Sequence, residues 1–315
     1  MLRFLARRLM TSVLILFFAS TLIFLIIHLL PGDPVTLALG EFGASNPEAI
    51  DKLRKKLKLD LPLPLQYYEW MKGIVQLDLG VSIQNDIPVA EELIRRIPRS
   101  LELIFAGLFI STFIGIPLGV LGARHPNSLA GWFSSILAVI GFSSPVFVTG
   151  LVFIIVFSLS FGLLPSSGYI PFSENIFDHI LYAILPSFTL AFGFIGVVIR
   201  MTRTSLFDVL NKDYLRTARA KGLSERVVMY RHGLPNALVP VVAILGVRAG
   251  NLLGGTVIIE SLFNWPGLSS LLVGSCLDRD YPLIQGTLLS IFIIFVIISL
   301  AVDLCHGILD PRVRQ

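Results

Sequence analysis

Charged residues are scarce in this 315-residue chain: only 15% are Asp, Glu, Lys or Arg, whereas 54% are apolar and the mean hydropathy is +0.80. A soluble domain carries about 25% charged residues. The composition therefore excludes an ordinary soluble domain and predicts a protein of the lipid bilayer. The net charge of +4 does not indicate nucleic-acid binding, because the basic residues cluster in loops that flank apolar runs.

Cysteine is almost absent, and motifs for catalysis or metal binding are missing. Cys276 and Cys305 are predicted on opposite sides of a membrane, so they cannot pair within one chain, and they lack metal-site spacing. No G-x-x-x-x-G-K-S/T phosphate loop, H-E-x-x-H pair or nucleophile elbow occurs. We predict no catalytic residue, no metal and no cofactor on this chain, so any energy must come from a partner or an ion gradient.

Long apolar runs predict an all-α integral membrane fold with six transmembrane helices. The runs cover about residues 9–30, 101–123, 132–163, 179–199, 237–259 and 283–304. A helix of about 20 apolar residues crosses a hydrocarbon core about 30 Å thick. The first run exceeds the apolar region of a signal peptide, which is about 7–15 residues long, so we expect an uncleaved first helix.

The distribution of basic residues predicts the orientation. The 200–236 loop holds eight Lys and Arg residues and the N-terminus three, whereas the short loops on the opposite side hold only Arg279. By the positive-inside rule, both termini and the 200–236 loop are cytoplasmic. The expected parts are a tail and first helix (1–30), an external helical loop (31–98), a core of five spans (99–304) and a cytoplasmic tail (305–315). Within the external loop the sequence predicts short helices at Glu48–Lys58, Leu65–Gln76 and Val89–Arg96.

Three features of the spans are predicted to shape the bundle. Small residues repeat every fourth position in the second and fifth spans, which favours close helix packing; they are Gly107, Ser111, Gly115 and Gly119, and Gly246, Gly250 and Gly254. Pro145 removes a backbone hydrogen bond near the middle of the third span and predicts a bend. The bend either lines a cavity, with Ser143 and Ser144, or is a kink that those hydroxyls satisfy.

Arg248 is a charged residue near the middle of the fifth span, where charge is expensive and usually faces a cavity or a partner. One hypothesis places Arg248 on a translocation path, where it meets a substrate carboxylate or an acidic residue of a partner. The alternative is a structural bond to backbone carbonyls or to Asn251.

The most basic short loop contains a predicted two-turn helix, Tyr214–Lys221. Asp213 is a suitable N-cap and Gly222 a suitable left-handed stop. Ser224 is expected to cap a second helix that runs toward Pro235. A helix of about eight residues is marginal alone in water, so it must lie against something. The alternative is a basic helix that lies on anionic lipid headgroups.

The spacing from Gly222 to Leu234-Pro235 resembles the coupling loop of binding-protein-dependent ABC importer permeases, and the surrounding DYLRTARAKGLSERVVMYRHGLPNAL resembles the dipeptide/oligopeptide/nickel branch. Arg216 and Thr217 stand where the general pattern has Glu-Ala. E-x-x-F-x-W-P-G from Glu260 to Gly267, an R-D-Y-P segment, L-P-G-D-P near residue 30 and L-D-P-R at the end are also similar to this branch.

The resemblance implies a type I ABC importer permease fold in a bacterial inner membrane. It implies a homologous second permease, two ABC ATPase subunits that carry ATP and Mg²⁺, and an extracytoplasmic binding protein that contacts the helical loop of residues 31–98; a solvated spacer is the alternative for that loop. The residues expected to couple to the ATPase are Tyr214, Arg216, Thr217, Ala218, Arg219, Ala220, Lys221, Gly222, Leu234 and Pro235.

The segment after the fifth span is predicted to cover the outer mouth of the path. Trp265 and Tyr281 suit a membrane interface, and Pro266-Gly267 forces a turn. The expected gate residues are Glu260, Phe263, Trp265, Pro266, Gly267, Asp280 and Tyr281. An aromatic anchor without a gating role is the alternative.

The function implied is that of a permease subunit, not itself an enzyme, that forms the path for small peptides. Uptake of a nickel or other metal chelate, or of glutathione, by the same mechanism is the alternative. A gradient-driven secondary transporter would require acidic residues in mid-span and an internal repeat, and the sequence provides neither.

Overall fold

The computed structural model describes residues 2–29, 35 and 47–309; the side chains of residues 2–5, 29, 49, 53, 248, 251, 253 and 305–309 lie outside that description. The described backbone is helical apart from connecting segments and one isolated bridge between Val81 and Pro88. The helices are α1 (Leu2–Leu29), α2 (Pro47–Lys56), α3 (Leu63–Val75), α4 (Val89–Arg124), α5 (Leu129–Ser143), α6 (Val146–Phe153), α7 (Ile176–Leu210), α8 (Asp213–Ala220), α9 (Glu225–Val227), α10 (Leu234–Leu262), α11 (Leu268–Leu277) and α12 (Tyr281–Leu309). A π-helical segment, Ile154–Ser160, continues α6, and another, Val228–Gly233, joins α9 to α10.

Five helical segments are long and apolar enough to cross a membrane: Ala6–His28, Val89–Arg124, Ile176–Leu210, Glu225–Val247 and Tyr281–Leu304. Leu129–Ser143 and Val146–Ser160 together pass the same criteria but are bent by 114° at their junction. If the bent pair counts as one crossing, these segments give the six crossings that the sequence predicts.

The predicted bend in the third span is a complete break. Ser144 is extended (φ −78°, ψ 125°) and Pro145 stands at the N-cap of α6. Proline is compatible with a helix start because its missing N–H would be unpaired there in any case. The bend at Pro145 is therefore confirmed, and it divides the span into two short helices.

Two predicted helix boundaries are wrong. The short helix expected at Val89–Arg96 is the first part of α4, which runs through Pro98 into the second span without interruption. Ile94, whose carbonyl loses its usual partner to Pro98, is 72% exposed, so water can satisfy that carbonyl. The fourth span, expected to end near Ile199, continues to Leu210.

One compact unit comprises residues 1–100 and 266–300. Its apolar core joins α1 to the start of α12 through Ile23, Ile27, Tyr281, Ile284 and Leu289. Trp70 and Ile74 of α3 pack against this cluster. The helices predicted at Glu48–Lys58 and Leu65–Gln76 are confirmed as α2 and α3, each displaced by one or two residues at its ends.

The second compact unit comprises residues 101–265 and 301–315. Its buried centre lies along α7, where Ala191, Ile195 and Ile199 form one cluster and Leu206 belongs to another with Val120 and Met229. The small residues of α4 face α7. A Cβ atom added at Gly115 would lie 2.7 Å from Val198, and one at Gly119 would lie 2.6 Å from Thr202.

The small residues of the fifth span do not form one packed face. A Cβ atom at Gly246 would meet Val302 at 2.2 Å, whereas one at Gly254 would have no described atom within 4 Å. The four-residue repeat in α10 therefore marks close packing at Gly246, and the prediction of a packing role for Gly254 is wrong for the part of the chain that the structure describes.

Candidate functional site

The short helix α8 lies in the basic loop and has one buried face. Leu215 is completely buried, whereas Tyr214 is 46% exposed and Arg216 and Thr217 are also exposed. Gly222 follows at φ +81°, a left-handed conformation that favours glycine, which confirms the predicted stop. Asp213 is not the N-cap. Lys212 occupies that position without a side-chain cap, and Asp213 begins the helix, where its charge suits the positive end of the dipole.

Side-chain hydrogen bonds tie α8 to its neighbours. The Arg219 guanidinium donates to the Leu210 carbonyl at 3.3 Å and to the Glu225 carboxylate at 2.7 Å. The Tyr214 hydroxyl donates to the His232 carbonyl at 3.3 Å and accepts from the Asn236 amide at 3.1 Å. These bonds hold α8 against the end of α7 and the π-helical segment that leads into α10.

The other residues predicted to couple to an ATPase lie on or near the exposed side of this loop. Arg216 pairs with Asp213 at 3.3 Å, and both side chains are largely exposed. Lys221 is exposed and has no ion pair among the described residues. Ala218 is half-buried, and Ala220 and Pro235 are exposed, while Leu234 is half-buried and packs at the edge of the Met229 cluster. The loop thus presents basic and small side chains outward.

The segment at the end of α10 is packed into the protein interior. Glu260, Phe263 and Trp265 are each 0–1% exposed. The Trp265 ring stands edge-on to Tyr169, with centroids 4.8 Å apart, and the Gly168 N–H donates to the Phe263 carbonyl at 2.8 Å. The prediction that Trp265 suits a membrane surface is wrong, because the loop that precedes α7 covers the indole ring.

The residues from Pro266 onward belong to the other compact unit. There the side chains of Arg99 and Ser100 bond to the backbone of this segment. Arg99 donates to the Pro266 carbonyl at 3.4 Å, and the Leu268 N–H, one residue after Gly267, donates to the Ser100 hydroxyl at 2.7 Å. Asp280 is 1% exposed and accepts hydrogen bonds from the Ser82 hydroxyl at 2.5 Å and the Ile83 N–H at 2.9 Å. Tyr281, 8% exposed, belongs to the apolar core.

The predicted path residues are only partly described. Ser143 and Pro145 are exposed at the break between α5 and α6, and Ser144 is half-buried. Neither serine hydroxyl makes a hydrogen bond within the described residues, so the alternative of a kink satisfied by these hydroxyls is wrong there. The backbones of Arg248 and Asn251 lie in α10, and their side chains lie outside the described residues, as do the L-P-G-D-P and L-D-P-R segments.

Comparison with known proteins decides the family. Residues 115–315 match the family described as binding-protein-dependent transport system inner membrane component, and residues 1–104 match its N-terminal region. The chain is a permease of this ABC importer family. The predicted family and the predicted role as a multi-pass inner-membrane transport subunit are thereby confirmed.

Close relatives of the permease match it from end to end. It is 40% identical over 314 residues to proteins named "Glutathione transport system permease protein GsiC" from Escherichia coli and Shigella dysenteriae, and each alignment covers 100% of this chain and 99% of the relative. The protein of the same name from Pectobacterium atrosepticum is 39% identical with the same coverage.

Solved transporters share the fold of the permease. An inward-facing MetNI methionine ABC transporter has a TM-score of 0.57 at 19% identity, covering 70% of this chain and 96% of that one. An amino acid ABC transporter has a TM-score of 0.53 at 16% identity, covering 69% and 94%. These likenesses confirm the type I permease fold.

Sequence reasoning missed one buried polar cluster of the permease. His179 is 2% exposed; its Nε2 atom lies 2.5 Å from the Glu102 carboxylate and its Nδ1 atom 2.6 Å from the Ile170 carbonyl. The Trp265, Tyr169 and Phe172 rings surround this imidazole. His179 and Glu102 lie 77 positions apart in the sequence, so no local motif joins them. The usable signal was an acidic residue and a histidine at the starts of two predicted spans.

Among the residues that the structure describes, no group of three or more His, Cys, Asp or Glu side chains is placed to hold a metal ion. The exposed face of α8 is the candidate site for contact with another subunit.

Proposed function

We propose that this permease forms the membrane path of an ATP-driven importer for short peptides, with both termini and α8 in the cytoplasm and residues 31–98 outside. An extracytoplasmic binding protein delivers the peptide. ATP and Mg²⁺ bind to two partner ATPase subunits, and this chain binds no cofactor. A homologous second permease completes the path.

The geometry of α8 carries this proposal. A helix of about eight residues does not persist alone in water, yet this one is anchored by Leu215 and by the bonds of Arg219 and Tyr214. The anchored side can pass a displacement to α7 and α10. The opposite side, with Arg216, Thr217 and Lys221, is free to enter a cleft on an ATPase subunit.

The path itself is proposed at the broken third span and α10. Ser143, Ser144 and Pro145 lie where the backbone of the third span is non-helical, and non-helical backbone at membrane depth is tolerated where it lines a cavity or is buried in protein. Arg248 and Asn251 are proposed to contribute a charged and a polar group to the same path. Glu260 to Gly267, with Asp280 and Tyr281, are proposed as its outer cover.

The substrate class follows from the relatives. Proteins 40% identical along the whole chain are named glutathione transport permeases, and glutathione is a tripeptide. We therefore propose small peptides, with glutathione as the first compound to test. A nickel chelate is the second candidate, on the basis of the branch that the coupling loop resembles.

Uptake by reconstituted vesicles tests the proposal. The permease, its partner permease, the ATPase pair and the binding protein are placed in liposomes, and uptake of radiolabelled glutathione, a dipeptide and ⁶³Ni is measured with and without ATP. We expect ATP-dependent peptide uptake that Thr217→Trp abolishes, because a bulky ring on the exposed face of α8 would block docking. Glu174→Trp, an exposed position in the loop before α7, is the matched control. Uptake that needs no ATPase would refute the proposal.

A further inference from the structure

A cavity of about 480 Å³ lies within the unit formed by residues 1–100 and 266–300. It is bounded by the end of α1, by one face of α3 and by the first turns of α12. Sites for small molecules usually measure about 300–1,000 Å³. The cavity is thus large enough for a ligand of two or three amino acids.

Most polar groups that line the cavity already have partners in the protein. The Gln66 amide oxygen lies 3.0 Å from His28 Nε2, and its NH₂ group donates to the Leu61 carbonyl at 2.8 Å. Lys58 donates to Glu69 at 2.5 Å, and chiefly this hydrogen bond lowers the pKa of the Glu69 carboxyl, so the pair stays ionised and mutually neutralised. The Asp78 carboxylate accepts from the Gly80 N–H at 3.0 Å.

Four polar side chains of the lining have no hydrogen bond or ion pair with a described residue: Gln76, which is exposed, and Gln285, Trp70 and Lys72. Gln285 is only 8% exposed, yet its amide makes no hydrogen bond with any described residue. No described residue accepts from the Trp70 indole N–H, and the Lys72 ammonium has no ion pair in the described part of the chain. The Gln285 amide is not sealed from solvent. Its exposed part opens into the cavity that this residue lines, so a ligand or water can pair with it there.

Gln285, Lys72 and the aromatic wall together specify one chemistry. A primary amide offers both a donor and an acceptor, which is the complement of a peptide bond. The Lys72 ammonium is exposed and makes no ion pair with a described residue, and the nearby Glu69 carboxylate on which it acts already pairs with Lys58, so Lys72 can attract a further carboxylate. Phe24 and Trp70, whose ring centroids are 5.8 Å apart, form an apolar surface for an aliphatic side chain.

We propose that this cavity binds a short peptide with a free C-terminal carboxylate, outside the translocation path. Gln285 pairs with the peptide bond, Lys72 with the carboxylate, and the Phe24 and Trp70 rings contact the side chain. The inference rests on the proposed orientation, which places this unit where peptides arrive. A segment of the binding protein offers the same amide and carboxylate groups, and the experiment separates that source from a free peptide.

Equilibrium binding to the assembled transporter in nanodiscs, without ATP and without the binding protein, tests the site. The probes are radiolabelled leucyl-leucine and leucyl-leucinamide, which lacks the carboxylate. We expect Gln285→Leu to weaken binding of both probes about threefold to tenfold, the range expected for loss of neutral hydrogen bonds. Lys72→Met is expected to weaken leucyl-leucine about twofold to fivefold and to leave the amide probe unchanged, because only the first carries the charge and Lys72 is exposed.

Two controls separate an effect on the cavity from a general effect of the substitution. Lys55→Met removes an exposed lysine that pairs with Asp51 and does not line the cavity, and it should bind both probes as the wild type does. Lys72 is exposed, so its replacement leaves the fold intact even if Gln285→Leu does not assemble.

The alternatives give different results. Equal weakening of both probes by Lys72→Met, or unchanged binding in both cavity variants, would overturn the proposal. In a separate assay the binding protein is added to the same nanodiscs. Variants that bind free peptide normally but no longer bind the binding protein would also overturn the proposal, since the occupant would then be a protein segment. ATP-driven uptake is measured on the same samples: intact uptake with no cavity binding refutes this site alone, whereas loss of ATP dependence refutes the proposed function.

Discussion

Asp280 joins two distant parts of the sequence at a single buried carboxylate. One of its oxygens accepts from the Ser82 hydroxyl at 2.5 Å and the Ile83 N–H at 2.9 Å, and the other accepts from the Leu283 N–H at 3.2 Å. The residue therefore caps α12 and holds the turn that precedes α4. Several donors depend on this carboxylate, which therefore holds residues 82–83 to the start of α12.

Replacement of Asp280 should destabilise the permease strongly. In Asp280→Ala the Ser82 and Leu283 donors lose their acceptor in a buried site, at a cost of about 1–3 kcal/mol for each unsatisfied group. We expect the melting temperature of the detergent-solubilised protein to fall by several degrees. Asp278→Ala, two residues earlier and exposed, is the control. Equal melting temperatures for the two variants would contradict this role.

At the residue scale, the sequence shows which positions carry polar or aromatic side chains, but it does not show which residues surround them in the fold. Trp265 and Tyr281 were assigned to a membrane interface because an amphipathic ring suits one, and both are buried in the protein. Trp265 is buried because it packs against Tyr169 and His179, which are distant in the sequence. Such contacts between separate spans cannot be inferred from the sequence of one span. Asp280 was identified from its family motif, whereas its partner Ser82 carries no local signal.

At the scale of elements, the contact of α4 with α7 depends on glycine at close-approach positions. Gly107, Gly115 and Gly119 face Leu190, Val198 and Thr202 in succession. The two helices advance together, by eight residues (about two turns) from Gly107 to Gly115 and by four residues (about one turn) from Gly115 to Gly119. Without a hydrophobic drive between helices in lipid, such backbone proximity supplies the packing energy.

Replacing Gly119 and Gly254 by alanine should have opposite effects on stability. A Cβ atom at Gly119 would lie 2.9 Å from the Ile199 carbonyl and 2.6 Å from Thr202. Gly119→Ala should therefore cost about 1–3 kcal/mol through overpacking. Gly254→Ala meets no described atom within 4 Å, and it should raise stability by about 0.5–1 kcal/mol because alanine favours a helix. Thermal melting of both variants checks the sign, and a loss of stability in Gly254→Ala larger than in Gly119→Ala would contradict it.

The left-handed stop of α8 gives a second element-scale prediction. Gly222→Ala places a Cβ atom on a residue at φ +81° and should cost about 1–2 kcal/mol locally. We expect faster proteolysis of the 212–224 loop in this variant and weaker ATP-coupled uptake. Gly274→Ala, inside α11 with no described atom within 4 Å, should leave both unchanged. A protease-resistant Gly222→Ala loop would refute the role of the stop.

Helices could be predicted better than their ends. The apolar period and proline punctuation placed the break at Pro145 and the helices α2, α3 and α8 within one or two residues. The continuation of α4 through Pro98 and of α7 to Leu210 could not be predicted, because polar flanks resemble loops until their packing is known. Leu206, in the polar extension of α7, is completely buried, which is a tertiary effect.

At the scale of the whole molecule, the orientation is testable with a native thiol. Cys276 is an exposed free cysteine of α11, and desolvation on its buried side raises its pKa. We expect a membrane-impermeant maleimide to label it in intact cells, slowly at pH 7 and faster as the pH rises, because the thiolate reacts. Cys276→Ser should abolish labelling.

A cysteine introduced into the basic loop tests the opposite side of the membrane. Ser224→Cys in a background with both Cys276→Ser and Cys305→Ser should react only after the cells are permeabilised. Labelling of that loop in intact cells would reverse the proposed orientation and place α8 on the wrong side for an ATPase. Either pattern is read from the same gel.

The length of α7 has a mechanical consequence. Its 35 residues span about 52 Å, whereas the hydrocarbon core is about 30 Å thick. One end is clamped at His179 beside Glu102, and the carbonyl of its final residue, Leu210, accepts from Arg219 of α8. The helix is continuous between these two contacts, and Pro186 is the position at which it can bend most easily. We expect a displacement at the α8 end of α7 to reach the Glu102 end through this continuous helix, less whatever bending at Pro186 absorbs.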